Sequence, residues 1–63
     1  MTFKICKMVD GRPMWLRKLP PDMTWVARAQ GRGFKTKDEA MRVATRLTAS
    51  GQAVTVVRDA LSN

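Results

Sequence analysis

The feature that most constrains the fold is a helix start at Thr36-Lys37-Asp38-Glu39. It matches the capping box, in which the Thr hydroxyl accepts a hydrogen bond from the amide of Glu39 and the Glu39 side chain reaches back to the Thr36 amide. Four apolar residues follow at the spacing of one helix face: Ala40, Val43, Ala44 and Leu47. Gly51 is typical of the residue just after a helix. The sequence therefore predicts one amphipathic helix over about 37–50.

Three stretches before the helix and one after it have the apolar alternation of strands. They cover about 2–9, 12–19, 24–30 and 53–58. Asp10-Gly11 joins the first two, because Asp-Gly between apolar-patterned runs is a strong hairpin signal. Pro20 and Pro21 end the second strand, since proline cannot donate to a strand ladder. Residues 59–63 are predicted to be a frayed tail.

The element order β-β-β-α-β predicts an α+β fold. We expect a single small domain with one mainly antiparallel sheet and one helix packed on one face. A chain of 63 residues makes at most one domain. If the last strand pairs with the first, the strand order is 4-1-2-3. A right-handed crossover would leave the last strand parallel to the third.

The two-residue turn also predicts which residues face each other across the hairpin. It pairs Cys6 with Trp15, Ile5 with Leu16, and Lys4 with Arg17. In the third strand, we place the small side chains of Ala27 and Ala29 beside Trp25, under the helix. The helix then hides one face of the sheet, and nothing in the chain is left to cover the other.

Composition argues against catalysis and bound cofactors. The chain has no histidine and one cysteine, Cys6. Zinc sites, disulfides within one chain, and Ser-His-Asp or Cys-His nucleophile systems are therefore excluded. We expect no catalytic residue, no metal, no cofactor and no enzyme activity. No apolar run approaches the roughly 18 residues of a membrane span, so we expect a cytoplasmic protein, or one of the host cytoplasm if it is phage-encoded.

The positive charge is localised. The chain has a net charge of +7, and between Gly11 and Lys37 it carries seven bases and one acid. A localised excess favours a surface with an anionic partner. The candidate binding residues are the bases and the tryptophan on or near the second face: Lys4, Arg12, Trp15, Arg17, Lys18, Arg28, Arg32, Lys35 and Lys37.

Such a surface has two physical uses and one plain alternative. Bases around an aromatic can follow a phosphate backbone while the ring stacks on a base. A three-stranded sheet can also enter the major groove, with arginines reaching guanine edges. Alternatively, Trp15 packs the second face as a small core of its own, or closes a homodimer there.

Part of the chain resembles the arm-type DNA-binding domain of phage and transposon integrases. The resemblance lies in Trp25-Val26-Ala27-Arg28 and in Gly33-Phe34-Lys35-Thr36-Lys37-Asp38-Glu39-Ala40. In that family a Trp-containing strand and a G-F-x-T-K-x-E-A junction into the helix recur, and the three-stranded sheet reads DNA. The present chain differs by an added strand after the helix.

The whole chain is also similar to short phage-encoded proteins of unknown function. These share an initial strand ending in Asp-Gly, a Trp strand, F-x-T-x-x-E-A into a helix, and a Val-rich last strand. Together the resemblances imply a small basic nucleic-acid-binding accessory protein of the phage or mobile-element type, with DNA favoured over RNA. The alternative is a modulator or inhibitor of a host polymerase, nuclease or defence complex that docks on an acidic or nucleic-acid-like surface.

Overall fold

The computed structural model describes residues 2–19 and 22–59. These residues form four strands and one α-helix, in the chain order β1 (Thr2–Val9), β2 (Arg12–Lys18), β3 (Thr24–Val26), α1 (Lys37–Ala49) and β4 (Thr55–Asp59). A short 3-10 turn, Arg28–Gln30, follows β3. The predicted α+β fold is confirmed as one antiparallel sheet with a single helix. The predicted strand break at Pro20 and Pro21 and the predicted tail beyond Asp59 lie outside the described residues.

The strand order is β3-β2-β1-β4, and every neighbouring pair is antiparallel. The expectation that the last strand runs parallel to the third is therefore wrong. The reason is a return segment between β3 and α1, where Phe34 bridges antiparallel to Phe3 at the start of β1. The chain has already reversed when α1 begins, so β4 runs opposite to both β1 and β3.

The same return segment replaces part of the predicted hairpin ladder. Paired residues of β1 and β2 run from Val9–Arg12 to Cys6–Trp15, in the predicted register. Beyond that point the Arg32 amide donates to the Leu16 carbonyl at 2.7 Å. Phe3 and Phe34 exchange two backbone bonds, of 2.9 and 2.7 Å. The segment thus lies where the predicted Ile5–Leu16 and Lys4–Arg17 pairs would have met.

Local turn and cap chemistry follows the prediction. Asp10 and Gly11 have φ values of 52° and 80°, the left-handed geometry of a type I′ hairpin turn. The Thr36 hydroxyl accepts a hydrogen bond from the Glu39 amide at 3.2 Å. Gly51 follows α1 with φ 94°. The Asp10-Gly11 turn reverses the chain between β1 and β2. Thr36 and Gly51 mark the start and the end of the helix that packs on the sheet.

The main core lies between α1 and the sheet. Its buried members are Ile5, Leu16, Phe34, Ala40, Ala44 and Leu47. Trp25 packs against this core, as predicted. Ala27 and Ala29, however, are exposed and outside the strand, because β3 ends at Val26 and the chain turns away. Within the described residues no helix is both long and apolar enough to cross a membrane.

Candidate nucleic-acid interface

The Arg28–Gln30 turn lies across the second face of the sheet, over Trp15. A Cβ added at Gly31 would sit only 2.9 Å from the Cβ of Trp15. The guanidinium of Arg28 lies 5.4 Å from the centre of the Trp15 ring. Trp15 is consequently only 7% exposed. The prediction that nothing covers this face is wrong, because the chain following β3 folds back onto it.

A buried ion network holds the turn in place. Lys4 Nζ lies 2.9 Å from Asp59 Oδ2 and donates to the Arg28 carbonyl at 2.7 Å. The Arg28 guanidinium in turn donates to Asp59 Oδ1 at 3.2 Å. Lys4 and Asp59 are both buried. Asp59, predicted to begin a frayed tail, is instead the last residue of β4 and the centre of this network.

Two of the predicted contact residues therefore lie inside the domain. Lys4 is an internal cation with its charge compensated by Asp59. Trp15 packs between β2 and the covering turn, in agreement with the alternative that it forms a small core on the second face. A homodimer closed through Trp15 depends on an uncovered ring, and the turn of the same chain already covers Trp15.

Four exposed cations gather at the end of β2 and around the covering turn. We call Arg17, Lys18, Arg28 and Arg32 the basic cluster. Arg17 donates to the Gln30 carbonyl at 2.7 Å, which joins the end of β2 to the turn. The Arg32 backbone bonds the Leu16 carbonyl, next to Arg17 in the chain. These bonds join backbone positions up to 15 residues apart, near Arg17 and Arg32. The Arg28 guanidinium lies over Trp15 on the second face and that of Arg32 over Phe34 of the main core, so the basic cluster spans this end of the sheet.

The other predicted residues lie outside the basic cluster. Arg12 is exposed at the hairpin end of β2, roughly 17 Å along the strand from Arg17 at the usual rise per residue. Lys35 and Lys37 are exposed at the start of α1, where the exposed acids Asp38 and Glu39 adjoin them. Their local charge is therefore largely cancelled, whereas the four bases of the basic cluster outnumber the acids near them, Asp22 after β2 and the buried Asp59 that Lys4 also neutralises.

Burial of Asp59 together with Lys4 removes one charge of each sign from the surface, so the positive excess of the composition stays exposed. Among the residues that the structure describes, the exposed bases are Arg12, Arg17, Lys18, Arg28, Arg32, Lys35, Lys37, Arg42, Arg46 and Arg58. The exposed acids among them are Asp10, Asp22, Asp38 and Glu39. Sequence reasoning found the excess but missed Asp59, Gln30 and Gly31 as the residues that arrange it. The one available signal was Gly31-Arg32-Gly33, which marks a close backbone approach as readily as a flexible exit.

A groove runs beside the outer strand β4. It lies between α1 and β4 and is lined by Met41, Ala44, Thr45, Thr48, Val54 and Val56. A neighbouring depression shares Val56 and adds Phe3, Lys37 and Arg58. We call these two together the edge groove. It is apolar along its length and has two cations at one end.

The remaining chemistry of the described residues is sparse. Burial raises the pKa of the Cys6 thiol above its ordinary value, partly offset by a backbone hydrogen bond from Met14. The thiolate is thus a minor species near neutral pH. In the described ranges no group of three or more His, Cys, Asp or Glu is placed to hold a metal ion.

Comparison with protein-family models, with curated proteins and with solved structures gave no significant match to this chain. The geometry described above is therefore the basis for assigning a function.

Proposed function

We propose that this protein is a small, non-catalytic nucleic-acid-binding accessory protein of the phage or mobile-element type. It acts in the cytoplasm, that of the host if it is phage-encoded, and prefers DNA to RNA. The observation that carries the proposal is the basic cluster, in which four exposed cations gather with no exposed acid at the turn. Such an arrangement attracts phosphates and releases their counterions on binding.

The arginines of the basic cluster are held ready for a phosphate. Arg17 donates one bond to the Gln30 carbonyl and Arg28 one to Asp59. A guanidinium has further N–H donors in a fixed plane, so those remaining can form the forked bond that phosphate accepts. Because the protein already orients the side chains, less conformational entropy is lost on binding. Arg28 keeps 44% of its side chain exposed for this purpose.

The test compares charge reversals inside and outside the basic cluster. Binding of a labelled oligonucleotide is measured by fluorescence anisotropy at about 50 mM salt with micromolar protein. We expect Arg17→Glu and Arg32→Glu to weaken binding by roughly 10-fold or more, as loss of a phosphate contact and added repulsion require. Arg42→Glu, the same change on the exposed face of α1, is the matched control and has a smaller effect. Absence of any binding by the wild-type protein overturns the proposal, and equal effects of the three variants overturn the location.

The second candidate function is a modulator or inhibitor of a host protein such as a polymerase, nuclease or defence complex. The observation that favours it is the edge groove, which flanks the outer strand β4. An extended segment can add to an outer strand while its side chains enter such a groove. Lys37 and Arg58 at one end select a segment whose end is acidic.

The two candidate functions are separated by a pull-down from nuclease-treated host lysate. A stoichiometric partner that survives nuclease and is lost with Met41→Glu supports the second candidate, because Met41 is 45% exposed and lines the edge groove. The matched control is Met8→Glu, another exposed methionine, on the β1–β2 hairpin. Loss of all partners after nuclease treatment supports the first candidate instead.

A further inference from the structure

We infer that the nucleic acid bound is a duplex, recognised through its phosphates without stacking of its bases. This inference rests on the proposed function and names its ligand class. It is drawn from what the fold does with the aromatic side chains, which are the groups that single-strand binding proteins use as stacking platforms.

Two aromatic rings of the chain are buried and the other two are partly buried. The chain has two Trp, two Phe and no Tyr, and all four rings fall within the described residues. Trp15 is 7% exposed and Phe34 5%. Phe3 and Trp25 are partly buried and pack against the main core. None of the four is an exposed side chain, and the depression that Phe3 lines with Lys37 and Arg58 belongs to the edge groove and not to the basic cluster.

A cation lies over each of three of these rings. Lys7 Nζ lies 4.2 Å from the centre of the Trp25 ring. Arg28 lies over Trp15 at 5.4 Å and Arg32 over Phe34 at 5.6 Å. A base could reach these rings only by displacing the cation, and Arg28 and Arg32 are members of the basic cluster. The fold therefore uses these rings to support cations, and it presents positive charge where a base would have to stack.

A surface that binds phosphates but has no exposed ring for bases to stack on favours duplex over single-stranded nucleic acid, because the duplex has the higher charge density. A duplex carries one phosphate charge per roughly 1.7 Å of its axis, against about 3.4 Å for each strand alone. Counterion release per neutralised phosphate is also larger for the duplex. A single strand compensates for this deficit by stacking its bases on exposed rings, and the basic cluster has no exposed ring beside it for that. The same reasoning predicts indifference to base sequence, because phosphate contacts carry no sequence information.

The test titrates the full chain into three labelled oligonucleotides of about 20 nucleotides: duplex DNA, duplex RNA and single-stranded oligo(dT). We expect at least about 5-fold tighter binding of a duplex than of oligo(dT), given the difference in charge density. Duplexes of different base composition should bind alike, and the DNA and RNA arms identify which duplex is preferred. Tryptophan fluorescence should show no stacking-type quenching with any ligand.

A tryptophan variant tests directly whether a base stacks on Trp25, and circular dichroism checks that the variant is folded. Trp25→Leu removes a partly buried ring that carries Lys7, and we expect its duplex affinity to stay within about 2-fold of wild type, since no base stacks there. Tighter binding of oligo(dT) than of either duplex, or quenching of tryptophan by oligo(dT), overturns the inference and leaves nucleic-acid binding intact. Absence of binding to all three ligands overturns the proposed function and this inference with it.

Discussion

Lys4 Nζ lies 2.9 Å from Asp59 Oδ2, and both residues are buried. The pair joins the first strand to the last, and its members are 55 positions apart in the sequence. Through the Arg28 carbonyl and guanidinium it also anchors the turn that covers Trp15. This one contact therefore determines where part of the basic cluster is placed.

Lys4→Met should destabilise the domain severely. It removes the buried cation that lies 2.9 Å from the buried Asp59 carboxylate, and breaking a buried pair from one side costs about 3 kcal/mol or more. The whole stability of a domain of this size is roughly 3–9 kcal/mol. Urea unfolding followed by tryptophan fluorescence measures the loss. Lys18→Met, an exposed cation, is the control and should change stability by less than about 0.5 kcal/mol. Similar midpoints for the two variants would refute the role given to Lys4.

Gly31→Ala should be destabilising although the backbone accepts it. Gly31 has φ −66° and ψ 147°, which alanine adopts freely. The added Cβ would nevertheless lie 2.9 Å from the Cβ of Trp15, so turn and strand must separate. Overpacking of this kind costs about 1–3 kcal/mol. Chemical denaturation of Gly31→Ala is compared with that of Gln30→Ala, whose exposed side chain is removed while its carbonyl still accepts from Arg17. An unchanged midpoint for Gly31→Ala would show that the turn does not pack on Trp15 as described.

Thr36→Val tests the helix start. It removes the hydroxyl that accepts from the Glu39 amide, and loss of an N-cap costs about 1 kcal/mol. Thr45→Val is the matched control, because its hydroxyl bonds only the Met41 carbonyl, which the helix already uses. We expect a smaller loss of helix stability there. The urea midpoints of the two variants are compared with that of the wild type. Equal shifts would mean that the Thr36 cap adds no more stability than the Thr45 hydroxyl does.

Features set by local chemistry could be predicted from the sequence. The Asp10-Gly11 turn needs only two residues that tolerate positive φ, and the start of α1 needs only Thr36 and its neighbours. The strand order follows once the last strand pairs with the first. Residues only a few positions apart determine these elements, so the sequence alone is enough to predict them.

Features set by distant partners could not be predicted. β3 stops at Val26 because the following turn is bound by Lys4 and Asp59, which lie 24 and 31 positions from Arg28. Nothing near Asp59 distinguishes a buried acid from the start of a solvated tail. The sequence located the excess of bases correctly, but whether Trp15 is covered depends on these same long-range contacts.

The most direct test of nucleic-acid binding by the basic cluster is the salt dependence of duplex affinity for the wild-type protein and Arg17→Gln. We predict that log K falls linearly with log salt and that Arg17→Gln reduces the slope by about 1, the value for one lost phosphate contact. Arg42→Gln, which removes the same charge from α1, should leave the slope close to that of the wild type. Binding that does not depend on salt, or equal slopes for Arg17→Gln and Arg42→Gln, would contradict the account.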